Sequence, residues 1–347
     1  MTSTPARLLL PLAAVLCVAL AFLATPSLRP QPTGGIDDVQ MSSETAAGAA
    51  TTLAETRDVA VGIYVAQLPL VDLKANEFKV TFWIWFRWRD PRLNPMESFD
   101  LVGGHVDEKE NVSTQELAGG VKYATARISA TISSLFNLRR FPLDDHVLTL
   151  AIEDGDHDES GLRFVADTAN SGVDPVVRIP GWEVGEVTAR TGVHRYSTNY
   201  GDTSVPTGNQ STYSRFELRV SADRAGLGYF IKLFWGSYLA ALIAFLAFFI
   251  RPTDLDPRFG LGIGAIFAAA GNAYVISSSL PESPAMTLAD GISGVTILYI
   301  FFTLIASVVS LHLWTRGHEQ ASRTLDRVLL WVLASTFVAL NVVLVRI

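Results

Sequence analysis

Cysteine occurs once in the chain, as Cys17, so neither an intrachain disulfide nor a cysteine-built zinc site can form. There is no basic run and no glycine-rich phosphate loop, which removes the usual signs of nucleic-acid or nucleotide binding. No paired carboxylates or Ser/His/Asp grouping can be argued from the pattern, so the chain is not expected to be an enzyme, and no cofactor or metal is expected. Charge is scarce in one part only. From Gly228 to Ile347 there are seven Lys/Arg and six Asp/Glu, whereas from Thr25 to Leu227 nineteen Lys/Arg stand against twenty-eight Asp/Glu. The 49% hydrophobic average therefore joins a water-facing acidic half to a half suited to lipid.

Arg7 precedes an apolar run from Leu8 to Ala24 that closes on small residues, the pattern of a secretory signal cut near Ala24. An uncleaved anchor is the alternative, because the run is about as long as a short membrane span. Lipid attachment at Cys17 is disfavoured, since Leu16 stands where a small residue is needed. Residues 25–57 are rich in Pro, Ser, Thr, Ala and Gly with almost no large apolar groups, and read as a flexible leader.

From residue 58 to 223 the pattern becomes short alternating runs broken by Gly, Pro, Asn and Asp. Val59 to Leu70, Phe78 to Trp88, Val121 to Ser134, Val147 to Ile152, Gly161 to Val165, Trp182 to Arg190 and Tyr213 to Val220 are the clearest. Period-two alternation without a long helical stretch predicts an antiparallel β-sandwich of about seven to ten strands. Phe82 to Trp88 is apolar on both faces, so one face can line the core and the other must meet something else.

Residues 224–347 hold four spans of about 20 residues or more, Tyr229 to Ile250, Phe259 to Leu280, Leu288 to Trp314 and Val328 to Val345. Arg251 and Arg258 flank the first link, and Arg316, Arg323 and Arg327 fall in or beside the third, while the second has no Lys or Arg. The positive-inside rule makes the first and third links cytoplasmic and puts the sandwich outside, as a cleaved signal requires. Lys232, Trp314 and Arg346 read as interfacial anchors.

The second span has no ionisable side chain from Phe259 to Pro281 and few bulky aliphatics. At about 100° per residue, Asp256, Gly260, Gly264, Phe267, Gly271, Tyr274 and Ser278 fall within about 40° of one line. Around an axis shared by several copies, that line describes a pore with an acidic ring at its cytoplasmic mouth and constrictions at Phe267 and Tyr274. The alternative is that Gly260-x-x-x-Gly264 lets helices pack closely.

The order of these parts resembles the pentameric ligand-gated ion channels, the superfamily of Cys-loop receptors and their prokaryotic relatives. The resemblance is carried by Trp83-x-x-x-x-Trp88-Arg89-Asp90-Pro91-Arg92-Leu93, by the loop Asn137 to Leu148 with Phe141-Pro142-Leu143-Asp144 at its centre, and by the link Ser279 to Pro284. The bracketing cysteines of the loop are absent, which the bacterial branch tolerates, and the first span lacks the usual proline. The resemblance implies a membrane-embedded homopentamer, its sandwich extracytoplasmic, gated by a small ligand or by protons, with ions and lipid as its other partners and no nucleic acid.

Ligands in that family bind between subunits in a box of aromatics. Carried over, Trp83, Trp85 and Arg87 would face the partner subunit, and Tyr196, Tyr200 and Tyr213 would border the mobile loop of the last two strands. Such rings suit an amine or guanidinium through cation–π attraction; plain interface packing is the alternative. The acidic run Glu153 to Glu159, with Asp154 and His157, reads as a solvated bend beside that cleft, able to attract a cation or to sense pH through His157, and is not an EF-hand loop. For transmission, Arg140, Phe141, Pro142 and Asp144 would press on Pro281 and Glu282, with Arg224 just before the first span; alternatively Asp144 and Arg140 pair only to hold the fold. Asp256 favours cations, with Asp254 free to pair with Arg251 or Arg258. Two other classes of protein compete with a channel. One is a membrane-anchored receptor or adhesion module that does not conduct; the other is a secondary transporter, disfavoured because no inverted repeat and no buried charge pair is evident.

Overall fold

The computed structural model describes residues 57–200, 211–224, 226–283 and 285–346. The expected signal segment, Cys17 and nearly all of the expected leader lie outside the described residues. Ten strands come first: β1 (Asp58–Asp72), β2 (Glu77–Trp88), β3 (Phe99–Leu101), β4 (Gly104–Leu117), β5 (Val121–Ser133), β6 (Asp145–Asp154), β7 (Arg163–Ala166), β8 (Gly172–Val173), β9 (Trp182–Tyr196) and β10 (Ser211–Arg224). They form two sheets. One has the order β4-β5-β2-β1-β7, with β8 also on β1, and the other β3-β6-β10-β9.

Alternation explains how the sheets close on each other. Along β2, Phe78, Val80, Phe82, Ile84, Phe86 and Trp88 are buried while Trp83, Trp85 and Arg87 stand half-buried on the opposite face. The inner residues of β1, β5, β6 and β10 meet them in one apolar cluster. Two features depart from the sequence expectation. β7 and β8 run parallel to β1, because the acidic bend after β6 carries the chain across from one sheet to the other. β4 was not foreseen at all: it is exposed along nearly its whole length, so it carries no alternation.

The helices follow: α1 (Gly226–Phe245, continued by a 3-10 turn Leu246–Phe249), α2 (Leu255–Ser278), α3 (Leu288–Thr315) and α4 (Glu319–Arg346). All four are long and apolar enough to cross a membrane. α4 starts well before Val328, leaving a link from α3 of residues 316–318 instead of the expected dozen. Its first turns are polar and escape a hydropathy reading. The sandwich core continues into the bundle, since Phe230, Phe234, Ile276, Leu280, Ala289 and Ile292 belong to the same packed cluster. The protein is thus a multi-pass membrane protein with an extracytoplasmic N-terminal sandwich.

Candidate functional site

The β9–β10 hairpin brings three tyrosines together. Tyr196 lies 5.6 Å from Tyr200 and 5.8 Å from Tyr213 between ring centroids, both edge-on, and the His194 ring packs at 4.4 Å. Behind the rings, Tyr196 Oη donates to Glu153 Oε2 at 2.8 Å, and Arg215, almost fully buried, donates through Nε to Glu153 Oε1 at 2.8 Å. Burial, then the bonded Glu153 carboxylate, pushes the Tyr196 hydroxyl up to about 12. Burial, and then the neighbouring Tyr200, raises Tyr213 as well. Tyr200 is 63% exposed, so the corner presents rings outward on a neutralised base.

Trp83, Trp85 and Arg87 sit on the other sheet. Trp85 lies across Gly62 of β1, where a Cβ would come within 2.3 Å of the indole, so only glycine admits that pose. Trp85 Nε1 and Arg87 Nη2 both donate to Asp167 Oδ2, at 3.1 and 2.9 Å. Asp167, which the sequence did not single out, therefore sets both side chains. Among the described residues, no hydrogen bond or ring contact joins this group to the tyrosines.

The acidic bend differs from the solvated run expected. Glu153 and Asp154 are buried, and Asp154 accepts from Ser98 Oγ, from the backbone of Asp156 and His157, and from His157 Nδ1 at 2.8 Å. Its oxygens build the bend. Asp158 likewise caps its own turn through Ser160. Among the described residues no cluster of His, Cys, Asp and Glu is arranged to hold a metal.

Below, where the sandwich meets the helices, Asp144 is the hub. It is buried and accepts from Arg224 Nε at 3.2 Å and pairs with His146 Nε2 at 2.7 Å. Burial pushes its carboxyl up, but the His146 hydrogen bond and the Arg224 charge together hold it below the usual range. Arg224 is also stacked 3.8 Å over the Trp182 ring, with Tyr229 and Phe141 at 4.8 and 5.4 Å. The expected Arg140–Asp144 pair is not formed: Arg140 is exposed, and Arg224 and His146 take its place.

The loop also docks elsewhere than expected. Arg139 O and Phe141 O accept from Leu288 N and Ala289 N at 2.9 and 3.1 Å, satisfying donors that the first turn of α3 leaves open. The Phe141–Pro142 peptide is cis. Glu282 is exposed and Pro281 half-buried, and among the described residues neither holds a hydrogen bond from the loop. The end of α2 is reached instead from the β1–β2 turn, where Lys74 Nζ donates to Ser278 O at 2.9 Å.

Along α2, Asp256, Gly260, Gly264, Phe267, Gly271, Tyr274 and Ser278 are all exposed, while Arg258, Gly262, Ala265, Ala269 and Ile276 are buried. A Cβ on Gly262 would meet Leu304 at 2.3 Å, whereas nothing lies within 4 Å of one on Gly260, Gly264 or Gly271. Within the chain the close approach is therefore made by Gly262. Asn272 rivets α2 to α1 through Leu233 O and Ser237 Oγ. Arg258 pairs with Asp326 of α4 and not with Asp254, whose link to it is a backbone bond of 3.3 Å. This buried charge pair, 68 residues apart in sequence, is one that the sequence reading held to be missing.

No family model matches the chain. It is similar to a proton-gated ion channel of Gloeobacter violaceus, 21% identical over 310 residues that cover 84% of this chain and 83% of the relative. It is also similar to the human glycine receptor subunit beta, 20% identical over 73% of this chain, and to the human gamma-aminobutyric acid receptor subunit rho-3, 19% identical over 71%. The match spans only about half of those two subunits, 54% and 56% of their lengths. A two-sheet sandwich leading into four apolar helices, together with these relatives, shows that the chain is similar to the pentameric ligand-gated ion channels.

Proposed function

We propose that the chain assembles as a homopentamer and conducts ions, preferring cations, along a pore lined by α2. The observation that carries this is the α2 line from Asp256 to Ser278, exposed at every one of its seven positions and made of small or polar groups apart from two rings. Such a face is poorly suited to lipid and well suited to water. Rings of Phe267 and Tyr274 would close the path by dewetting, and Asp256 would set the charge at the cytoplasmic mouth.

Gating is by a small extracytoplasmic ligand or by protons, as the names of the relatives suggest. Trp83, Trp85 and Arg87 on one sheet and Tyr196, Tyr200 and Tyr213 on the other fit a cleft completed only when two subunits meet. The Asp144–Arg224–His146 hub and the Leu288, Ala289 and Lys74 contacts offer the route from that cleft to the helices. A ligand can bias this route only by differing in its contacts with the two states.

The test is current from the purified protein in bilayers, across a screen of pH and amines, for the native chain and Phe267→Ala. The variant should raise basal current. Silence of both under every condition would sink the pore.

A further inference from the structure

The first turn of α2 carries two opposite charges, Asp256 and Arg258, and only one of them is open to water. The two residues are about 200° apart around the helix. Asp256 is exposed, while the Arg258 side chain is 0% exposed. Arg258 Nη1 donates to Asp326 Oδ2 at 3.0 Å and to Ile250 O at 2.9 Å, and Nη2 donates to Asp326 Oδ1 at 2.7 Å. Its Nε is buried without a partner. A guanidinium at a helix N-terminus opposes the helix dipole, and a buried one without a counter-ion is costlier still. Asp326 is the carboxylate within reach that offsets both.

From this we infer that Asp326, on α4 and away from the pore line, determines charge selectivity by sequestering Arg258. The inference rests on the reading of α2 as the pore helix. With Asp326 ionised, the Arg258 head is held against α4 and its charge is cancelled, so a permeating ion meets Asp256 alone. Without that carboxylate the buried guanidinium has no counter-charge, and its long stem lets the head swing out to water at the helix start. There it would neutralise Asp256. The sign of the pore is thus set by a residue that the pore does not contain.

The experiment measures reversal potentials under a salt gradient, in bilayers, for the native protein, Asp326→Asn and the double variant Arg258→Gln/Asp326→Asn. Asp326→Asn should lower the cation-to-anion permeability ratio by about fivefold, as a charge released near the ion path would. The double variant removes one charge of each sign and should restore the native ratio. A native ratio in Asp326→Asn overturns the inference, and so does a double variant more cation-selective than the native protein, which would mean that Arg258 is felt by ions even when paired. If Asp326→Asn does not reach the membrane, Asp326→Ser, which also removes the carboxylate, is measured in its place with the same two outcomes. A native protein that passes no current under any condition instead overturns the channel reading, and the inference with it.

Discussion

Helices α2 and α4 leave the same share of themselves uncovered. In each, 22% of the most apolar stretch is buried inside the chain, yet what the two expose is different in kind. α4 exposes Val328, Trp331, Val332, Val338, Val342 and Val343, a surface that lipid satisfies. α2 exposes Leu255, Ile263 and Val275 too, but along one line it exposes Asp256, Gly260, Gly264, Gly271 and Ser278 with the rings of Phe267 and Tyr274. Burial alone would have given both helices one role. It is the chemistry of the uncovered face that separates a helix suited to hydrocarbon from one suited to the aqueous axis proposed above.

The largest effect should come from charge on the α2 line. Asp256→Arg is expected to shift the reversal potential toward anions by about tenfold or more in permeability ratio, since in the proposed pentamer five like charges would ring the mouth. No shift would remove Asp256 as the filter. Next comes the buried side of the same helix. Gly262→Val should destabilise the detergent-solubilised protein by about 1–3 kcal/mol through overpacking on Leu304, whereas Gly264→Ala should leave its melting temperature unchanged. Equal losses from both would mean that the two faces of α2 are not distinct.

Acid gives a smaller effect, felt where the sandwich meets the outer ends of α2 and α3. Asp144 is held below its ordinary value in the fold, so its stabilisation is present above the unfolded value of about 4 and is lost as pH falls through the lower folded one. Melting curves between pH 6 and about 3 should therefore fall more steeply for the native protein than for Asp144→Asn. Parallel curves would show that the hub carries no proton linkage. Smallest of all is Val338→Ala on the lipid face of α4, expected to change stability by under about 0.5 kcal/mol and the reversal potential not at all.

What the sequence showed was whatever repeats locally. Alternation found β1, β2, β5, β6, β7, β9 and β10, and hydropathy found four membrane helices. β4 escaped because charged and polar residues cover both its faces, although the Gly119–Gly120 turn into β5, with φ of 80 and 70, is a hairpin signal that could have disclosed it. The α2 line was legible because helical period alone computes which residues share a face. Partnerships were not. Asp144 lies 80 residues from Arg224 and Lys74 lies 204 from Ser278, and nothing in residue type told Asp144 to choose Arg224 over the nearer Arg140. The same holds for Asp167, 82 residues from Trp85 in sequence until the parallel β1–β7 pairing sets them side by side.

The bond from Lys74 to the end of α2 ends on a main-chain carbonyl, while the Ser278 hydroxyl is spent on Val275 O. A substitution at position 278 therefore cannot delete the acceptor, and only position 74 can lose the tie. The hydrogen bond is one-sided in its vulnerability: the side chain at 278 can vary without removing the acceptor, whereas the polar share of this joint, beside the packing of Ile276 and Leu280 into the sandwich cluster, depends on a single amine.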